Sequence, residues 1–191
     1  MLTPTTELEA INTMLTTIGE SPVNTVEDSG LLDVVIARQI LHTTSREVQA
    51  RGWHFNTEKN FPLQPTVDGT IVLPDTVLRV DTVGEYSDID VVVRGNRLYD
   101  RRNHTYTFKK PLNVDMVVLL PFEHLPEAAR IYITIRASRI FQERVVGSET
   151  LSAFSRQDEI RALAALRDMD TETADYNVLK DNYAVARVLH R

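Results

Sequence analysis

The sequence predicts an α+β protein in which helices from both ends of the chain pack together and a small antiparallel β lobe is inserted between them. Apolar residues recur with helical spacing in residues 8–48 and again after Pro126. From Trp53 onward the middle of the chain instead holds short runs of Val, Ile and Leu separated by Pro and Gly. These observations divide the chain into a helical part (1–52), a β-rich lobe (53–124), a second helical part (125–176) and an extended C-terminal tail (177–191).

The first helical part has a clear start signal. Thr6 and Glu9 have the Thr-x-x-Glu spacing of a capping box, in which each side chain accepts a hydrogen bond from the other residue's backbone N–H. A second helix is predicted after Gly30, and Gly52 ends it. The stripe that this helix should bury consists of Val34, Ala37, Leu41 and Val48.

The β lobe is predicted to hold four to six short strands. A tight turn over Arg94-Gly95-Asn96-Arg97 is expected to join two of them, because glycine accepts the backbone angles that such turns need. The candidate strands are 71–73, 77–83, 89–93, 106–109 and 114–120.

Two more helices are predicted after the lobe, and the second of them is apolar on two sides. Pro126 marks the start of the third helix, and Gly147 separates it from a fourth over about 148–175. One stripe of the fourth helix consists of Leu151, Phe154, Ala165 and Met169, and the roughly opposite one of Ile160, Leu163 and Ala164. Such a helix is often sandwiched, here between its own core and a neighbouring subunit.

Composition and motifs exclude several classes of function. The chain has no cysteine, which excludes disulfides, thiolate catalysis and cysteine-ligated metal. Nucleotide-binding glycine loops and the common hydrolase motifs are absent and the five histidines lack ligand spacing, so we predict no metal and no cofactor. A glycan hydrolase needs only two suitably separated carboxylates and stays open as an alternative. Its nominal pairs are Glu123 with Glu127 and Asp88 with Asp90.

A basic patch is predicted on the β lobe. The net charge of the chain is −6, which disfavours bulk attraction to nucleic acid, yet residues 94–110 hold six Arg and Lys and one Asp, with aromatics between them. Such a surface could grip phosphates and stack bases, or dock an acidic neighbour. Alternation on a half-buried hairpin, which we favour, produces the same pattern. The patch consists of Arg94, Arg97, Arg101 and Arg102.

Five segments, in order along the chain, carry a resemblance to a known family. They are Ile18-Gly-Glu-Ser-Pro-Val-Asn-Thr-Val-Glu27, Arg46-Glu-Val-Gln-Ala-Arg-Gly-Trp-His-Phe-Asn56, Val93-Arg-Gly-Asn-Arg-Leu-Tyr-Asp-Arg101, Leu125-Pro-Glu-Ala-Ala-Arg-Ile-Tyr-Ile-Thr134 followed by Ala137-Ser-Arg-Ile-Phe141, and Tyr176-Asn177. Together they resemble the tail tubular protein A family of short-tailed phages.

The resemblance implies a structural subunit of the virion tail. It implies a twelve-subunit adaptor ring, or gatekeeper, between the portal and the nozzle protein (tail tubular protein B), through which double-stranded DNA passes without sequence-specific binding. It also implies synthesis in the host cytoplasm, without membrane insertion. The subunit interface is expected to use Ile160, Leu163, Ala164, Arg139 and Arg144. The portal-binding tail is expected to use Val178, Leu179, Tyr183, Val185, Val188 and Leu189.

Overall fold

A computed structural model describes residues 4–27, 30–147 and 149–174, and within them the chain is α+β, as predicted. The helices are α1 (Glu7–Thr17), α2 (Leu32–Gln49), α3 (Glu127–Val145) and α4 (Glu149–Thr173). Between α2 and α3 lie the strands β1 (Thr57–Leu63), β2 (Val77–Thr82), β3 (Val91–Arg94), β4 (Arg97–Asp100) and β5 (Leu112–Val118).

The helices share one apolar core. The predicted capping box is present at the start of α1: the Thr6 hydroxyl accepts from the Glu9 N–H at 3.2 Å, and the Glu9 carboxylate accepts from the Thr6 N–H at 2.8 Å. All four residues of the predicted α2 stripe are buried, which confirms that face. The most enclosed side chains of this core include Ile11, Met14, Leu41, Tyr132 and Phe141.

The strands form a second, smaller core. In the three-stranded sheet β5 lies between β1 and β2, and both pairings are antiparallel. Strands β3 and β4 form a separate hairpin whose register pairs Arg94 with Arg97, so the predicted turn is confirmed. Gly95, the first central residue of that turn, has φ +65°. This backbone conformation is one that glycine adopts without steric cost.

The strand predictions were partly wrong. Residues 71–73 and 106–109, which were predicted as strands, contain only isolated bridges, at Val72 and Thr107. In each case a single residue pair forms before the two chain segments diverge. Strand β1 was missed altogether. It is an edge strand that contains Pro62, and its register shifts near Asn60, whose φ is +54°. Edge strands tolerate proline and bulges, and both weaken the alternating pattern that reveals a strand in a sequence.

The chain passes between the helical core and the lobe twice, at residues 49–57 and 118–120, which we call the stem. Two buried side-chain amides form hydrogen bonds between these two segments. The Gln49 side chain donates to the Leu120 carbonyl at 3.0 Å and accepts from the Leu120 N–H at 2.8 Å. The Asn56 side chain donates to the carbonyls of Gln49 and Val118 at 3.0 and 2.9 Å. Trp53 adds a bond from its indole N–H to the Val48 carbonyl at 2.8 Å.

Candidate assembly surface

Helix α4 packs on α3 with one side and exposes the apolar residues of its other side to solvent. Ala162 and Leu166 are buried against the core, whereas Ile160 is 69% exposed. At 100° per residue, Ile160 lies opposite Ala162, and the exposed Ala164 lies beside Ile160. We call Ile160 and Ala164 the crest. Of the outer stripe that the sequence predicted, Ile160 and Ala164 are exposed on this side of α4.

The composition of the inner stripe was predicted incorrectly. Ala165 is exposed, and the side chains of Leu151 and Phe154 lie outside the described part of the chain. Met169 does pack against the helical core, as predicted, but so does Leu163, which the sequence had assigned to the outer side. The inner face is centred on Leu166, which is fully buried in the helical core, and the apolar spacing alone did not reveal this.

A cluster of charges fixes α4 on α3. Glu159 of α4 accepts from the Arg139 Nε at 2.6 Å and from an Arg136 terminal nitrogen at 3.2 Å. The Arg139 guanidinium also meets Glu143 at 2.9 Å, and Arg136 reaches Glu47 of α2 at 3.4 Å. The cluster therefore joins three helices.

Both guanidiniums in this cluster remain firmly charged. Burial alone would lower the pKa of Arg139, but the carboxylates of Glu159 and Glu143 outweigh it and raise that pKa above its ordinary value. The pKa of Arg136 is likewise raised, because Tyr132, Glu159 and Glu47 outweigh its burial. Because carboxylates hold both guanidiniums, the positive charges of Arg136 and Arg139 are balanced within the cluster.

These residues line a hollow of about 480 Å³ on one flank of α4, which we call the arginine hollow. Three of the five predicted interface residues, Ile160, Leu163 and Arg139, lie together there, and Ala164 is on the adjacent crest. Arg144 is exposed near the end of α3 and does not line the hollow. The complete lining is Arg51, Tyr132, Arg136, Arg139, Arg156, Glu159, Ile160 and Leu163.

A second hollow, of about 500 Å³, lies on the other flank of α4, and the sequence did not predict it. Its walls come from α1, α3 and α4, and its lining is largely apolar, with Ile131 42% exposed. The spacing of Ile131, Ile135 and Ser138 on α3, apart from the buried stripe, was the available signal. We call this the isoleucine hollow; it is lined by Thr13, Thr17, Ile131, Ile135, Ser138, Asp158, Arg161 and Ala162.

The predicted basic patch lies on the β3–β4 hairpin, with two of its arginines over aromatic rings. The Arg94 guanidinium lies 3.7 Å from the centre of the Tyr99 ring, and that of Arg97 lies 4.7 Å from the centre of the Tyr106 ring. The two tyrosines meet edge to face at 4.8 Å. Tyr99 is buried and one face of each ring is occupied by a guanidinium, which leaves little ring surface for stacking bases.

The other two arginines of the patch flank a structural carboxylate. Arg101 pairs with Asp90 at 3.5 Å on the surface. The buried Asp100 accepts from the Arg102 and Asn103 backbone N–H groups at 2.8 and 2.9 Å and from the Asn103 amide at 2.8 Å. Burial would raise the pKa of Asp100, but these bonds and the charge of Arg102 lower it overall.

The carboxylates nominated for hydrolysis mostly have structural partners. Glu123 accepts from the Glu7 N–H at 2.8 Å, and Glu127 accepts from the Thr5 N–H at 2.9 Å, so this pair holds the start of α1. Asp90 carries the ion pair with Arg101, and Asp88 is exposed. Within the described residues, no group of His, Asp and Glu has the arrangement of a metal site, and no helix is long and apolar enough to cross a membrane.

The six predicted tail residues, Val178, Leu179, Tyr183, Val185, Val188 and Leu189, lie outside the described residues. Their assignment stays a prediction.

Comparison with known proteins supplies the family. A family model described as tail tubular protein matches residues 8–176, which covers the whole β lobe and all four helices apart from Glu7. The chain is also 29% identical, over 163 residues, to tail tubular protein A of Klebsiella phage KP34, an alignment that covers 85% of this chain and 86% of that protein. The chain therefore belongs to the tail tubular protein family and is a structural subunit of a phage tail.

Proposed function

We propose that this tail subunit forms an adaptor ring of twelve copies between the portal and the nozzle protein. The ring would complete the packaged head, dock the nozzle and let double-stranded DNA pass during ejection. Membership of the tail tubular protein family supports a place in the tail, and the architecture of α4 supports the ring.

The observation that carries the proposal is the outward face of α4. A lone exposed isoleucine needs no explanation, but Ile160 stands beside a hollow lined by four arginines and next to the exposed Ala164. Interfaces are enriched in arginine and contain apolar centres. The helix thus stabilises its own subunit through Ala162 and Leu166 and offers the crest to a second subunit.

The contacts with other tail proteins are assigned from the sequence. The tail (177–191) carries the six apolar and aromatic residues named above, which would dock on the portal. A segment that orders on its partner gives a second kind of contact, distinct from the contact within the ring.

The net negative charge of the chain is compatible with a channel from which DNA must be released. Residues 94–110 carry a formal charge of +5, so the remainder of a chain with net charge −6 carries −11. A surface of that sign repels phosphates, which lets a duplex slide without sticking. The basic hairpin would then lie away from the channel wall, where its preorganised guanidiniums can dock an acidic neighbour.

Electron microscopy of the protein mixed with purified portal tests the proposal. We expect class averages in which a ring with the rotational symmetry of twelve subunits covers one end of the portal. Portal particles that stay bare at saturating protein, or that bind single separated subunits, would refute the adaptor ring. A nozzle protein added to the complex should attach only where the ring is present.

A further inference from the structure

Two buried polar atoms point to missing partners on the two flanks of α4. In the described part of the chain, the buried side-chain nitrogens and oxygens that lack a hydrogen-bond partner are Arg136 Nε and Ser138 Oγ. Arg136 lines the arginine hollow and Ser138 lines the isoleucine hollow. Buried polar groups are nearly always satisfied, so each flank holds one polar atom whose partner the described residues do not supply.

The two flanks also differ in charge. The arginine hollow contains four arginines and one glutamate. The isoleucine hollow has one wall formed by α1, and α1 belongs to a stretch in which six acidic residues and no Lys or Arg precede Arg38. Among these acids, Glu9 and Glu20 are exposed at the two ends of α1. The paired arginines of the first hollow and the Asp158–Arg161 pair of the second are locally balanced. The complementary charges between two copies of the chain are therefore the exposed Arg51 and Arg156 on one side of α4 and the exposed acids of α1 on the other.

We infer that the occupant of each isoleucine hollow is the crest of a second copy. Ile160 of one subunit inserts between α1 and α3 of the next, and the exposed Arg51 and Arg156 beside that crest face the acidic α1. Because the crest and the isoleucine hollow are different surfaces, each subunit contacts one neighbour through its crest and the other neighbour through its hollow. A head-to-tail contact of this kind closes into a ring when the rotation between neighbours divides a full turn, whereas a contact between two like surfaces stops at a dimer. This inference rests on the proposed ring and specifies which surfaces make it.

The absence of cysteine allows a clean cross-linking test. Thr13 is exposed on the α1 wall of the isoleucine hollow, so T13C and I160C place one thiol on each of the two surfaces. Phage particles that carry the doubly substituted chain are oxidised mildly and separated on a denaturing gel without reductant. We expect most of the chain in a ladder of covalent oligomers that reductant collapses to a single band.

Three controls make the outcome decisive. Either single variant should give no covalent oligomer, and I160C with V67C, a fully exposed position between β1 and β2, should stay monomeric. A second pair, T17C with I160C, covers the case in which T13C harms α1. A dimer from I160C alone, or a ladder from the V67C control that equals that of the test pair, would overturn the inference.

Electron microscopy of the same particles separates this inference from the proposed function. A ring on the portal without a ladder from either test pair would overturn the inferred contact and leave the adaptor ring intact. Particles without a ring would refute the proposed function itself.

Discussion

Gly52, at the junction of α2 and the β lobe, occupies a position where any side chain would be costly. Its φ is +77°, and a Cβ there would lie 2.7 Å from an Arg79 terminal nitrogen and 2.9 Å from a Val117 methyl carbon. We expect Gly52→Ala to lower the free energy of unfolding by about 2–4 kcal/mol, because backbone strain and steric overlap add. Urea denaturation of both proteins measures the difference.

Gly84→Ala is the matched control for that substitution. Gly84 also has positive φ, +65°, but nothing lies within 4 Å of its added Cβ. It should therefore show only the conformational cost, about 1 kcal/mol. Equal losses in the two variants would mean that the contact with Arg79 and Val117 has no energetic weight.

Asp100 should make the stability of the lobe depend on pH. Its pKa in the folded protein is below the ordinary 3.8, so it stabilises the fold above that pH and the stabilisation disappears as the pH falls through the lowered pKa. We expect Asp100→Asn to cost about 1–2 kcal/mol at neutral pH and progressively less below about pH 4. Denaturation at several pH values checks this, with the exposed Asp88→Asn as a variant that should show no such trend.

At the scale of the elements, the attachment of α4 depends on one carboxylate. Glu159 is 13% exposed and meets two guanidiniums of α3. Replacing it with Gln leaves those cations without their shared anion, and we expect a loss of about 2 kcal/mol, less than for a fully buried pair because water reaches part of the cluster. Hydrogen exchange should show faster opening of α4, ahead of α1 and α2.

The neighbouring Asp158→Asn serves as the comparison. Asp158 and its partner Arg161 are 63% and 71% exposed and 3.6 Å apart, so their pairing contributes little. We expect a change within about 0.5 kcal/mol and unchanged exchange in α4. Equal acceleration of hydrogen exchange in α4 by Asp158→Asn and Glu159→Gln would contradict this prediction. It would mean that the negative charge of α4 in general, and not the Glu159 cluster, holds the helix in place.

The sequence predicted the helices better than the strands for a physical reason. The capping box of α1 and the α2 stripe are local patterns, and the structure confirms both. Strand β1 depends on pairing with β5, about fifty residues away, and its own residues, with Glu58, Lys59 and Asn60 exposed, resemble a loop. The inner face of α4 was misassigned because a helix with apolar residues on both sides does not reveal from its own sequence which side meets the core.

At the scale of the whole molecule, the assembly surface was predictable only in part. Ile160, Leu163 and Arg139 line the arginine hollow together, and their use as a subunit interface stays a prediction. The isoleucine hollow joins Thr13 to Ile131, more than one hundred residues apart, so the spacing on α3 could indicate one wall of it but not the wall formed by α1. The positions of Arg94 and Arg97 over tyrosine rings likewise depend on the hairpin fold.

Removal of the tail gives a prediction about the whole assembly. A chain that ends at residue 176 should remain a folded monomer and fail to bind the portal, because its proposed apolar contact is gone. Replacing Val178, Leu179, Val188 and Leu189 with Ser should have the same effect, whereas Lys180→Ser with Arg187→Ser should retain binding. Sedimentation with purified portal measures each case, and unimpaired binding by the shortened chain would refute the role of the tail.

The stem has a mechanical consequence. The two chain segments that reach the lobe are bonded to each other through Gln49 and Asn56, and Gly52 packs against Arg79 with no space between them. A hinge needs loosely packed residues that can change their backbone angles, and this crossing has none of that freedom. We therefore expect a pull or twist on the lobe to be transmitted through the stem into α2 and α3 instead of being absorbed there.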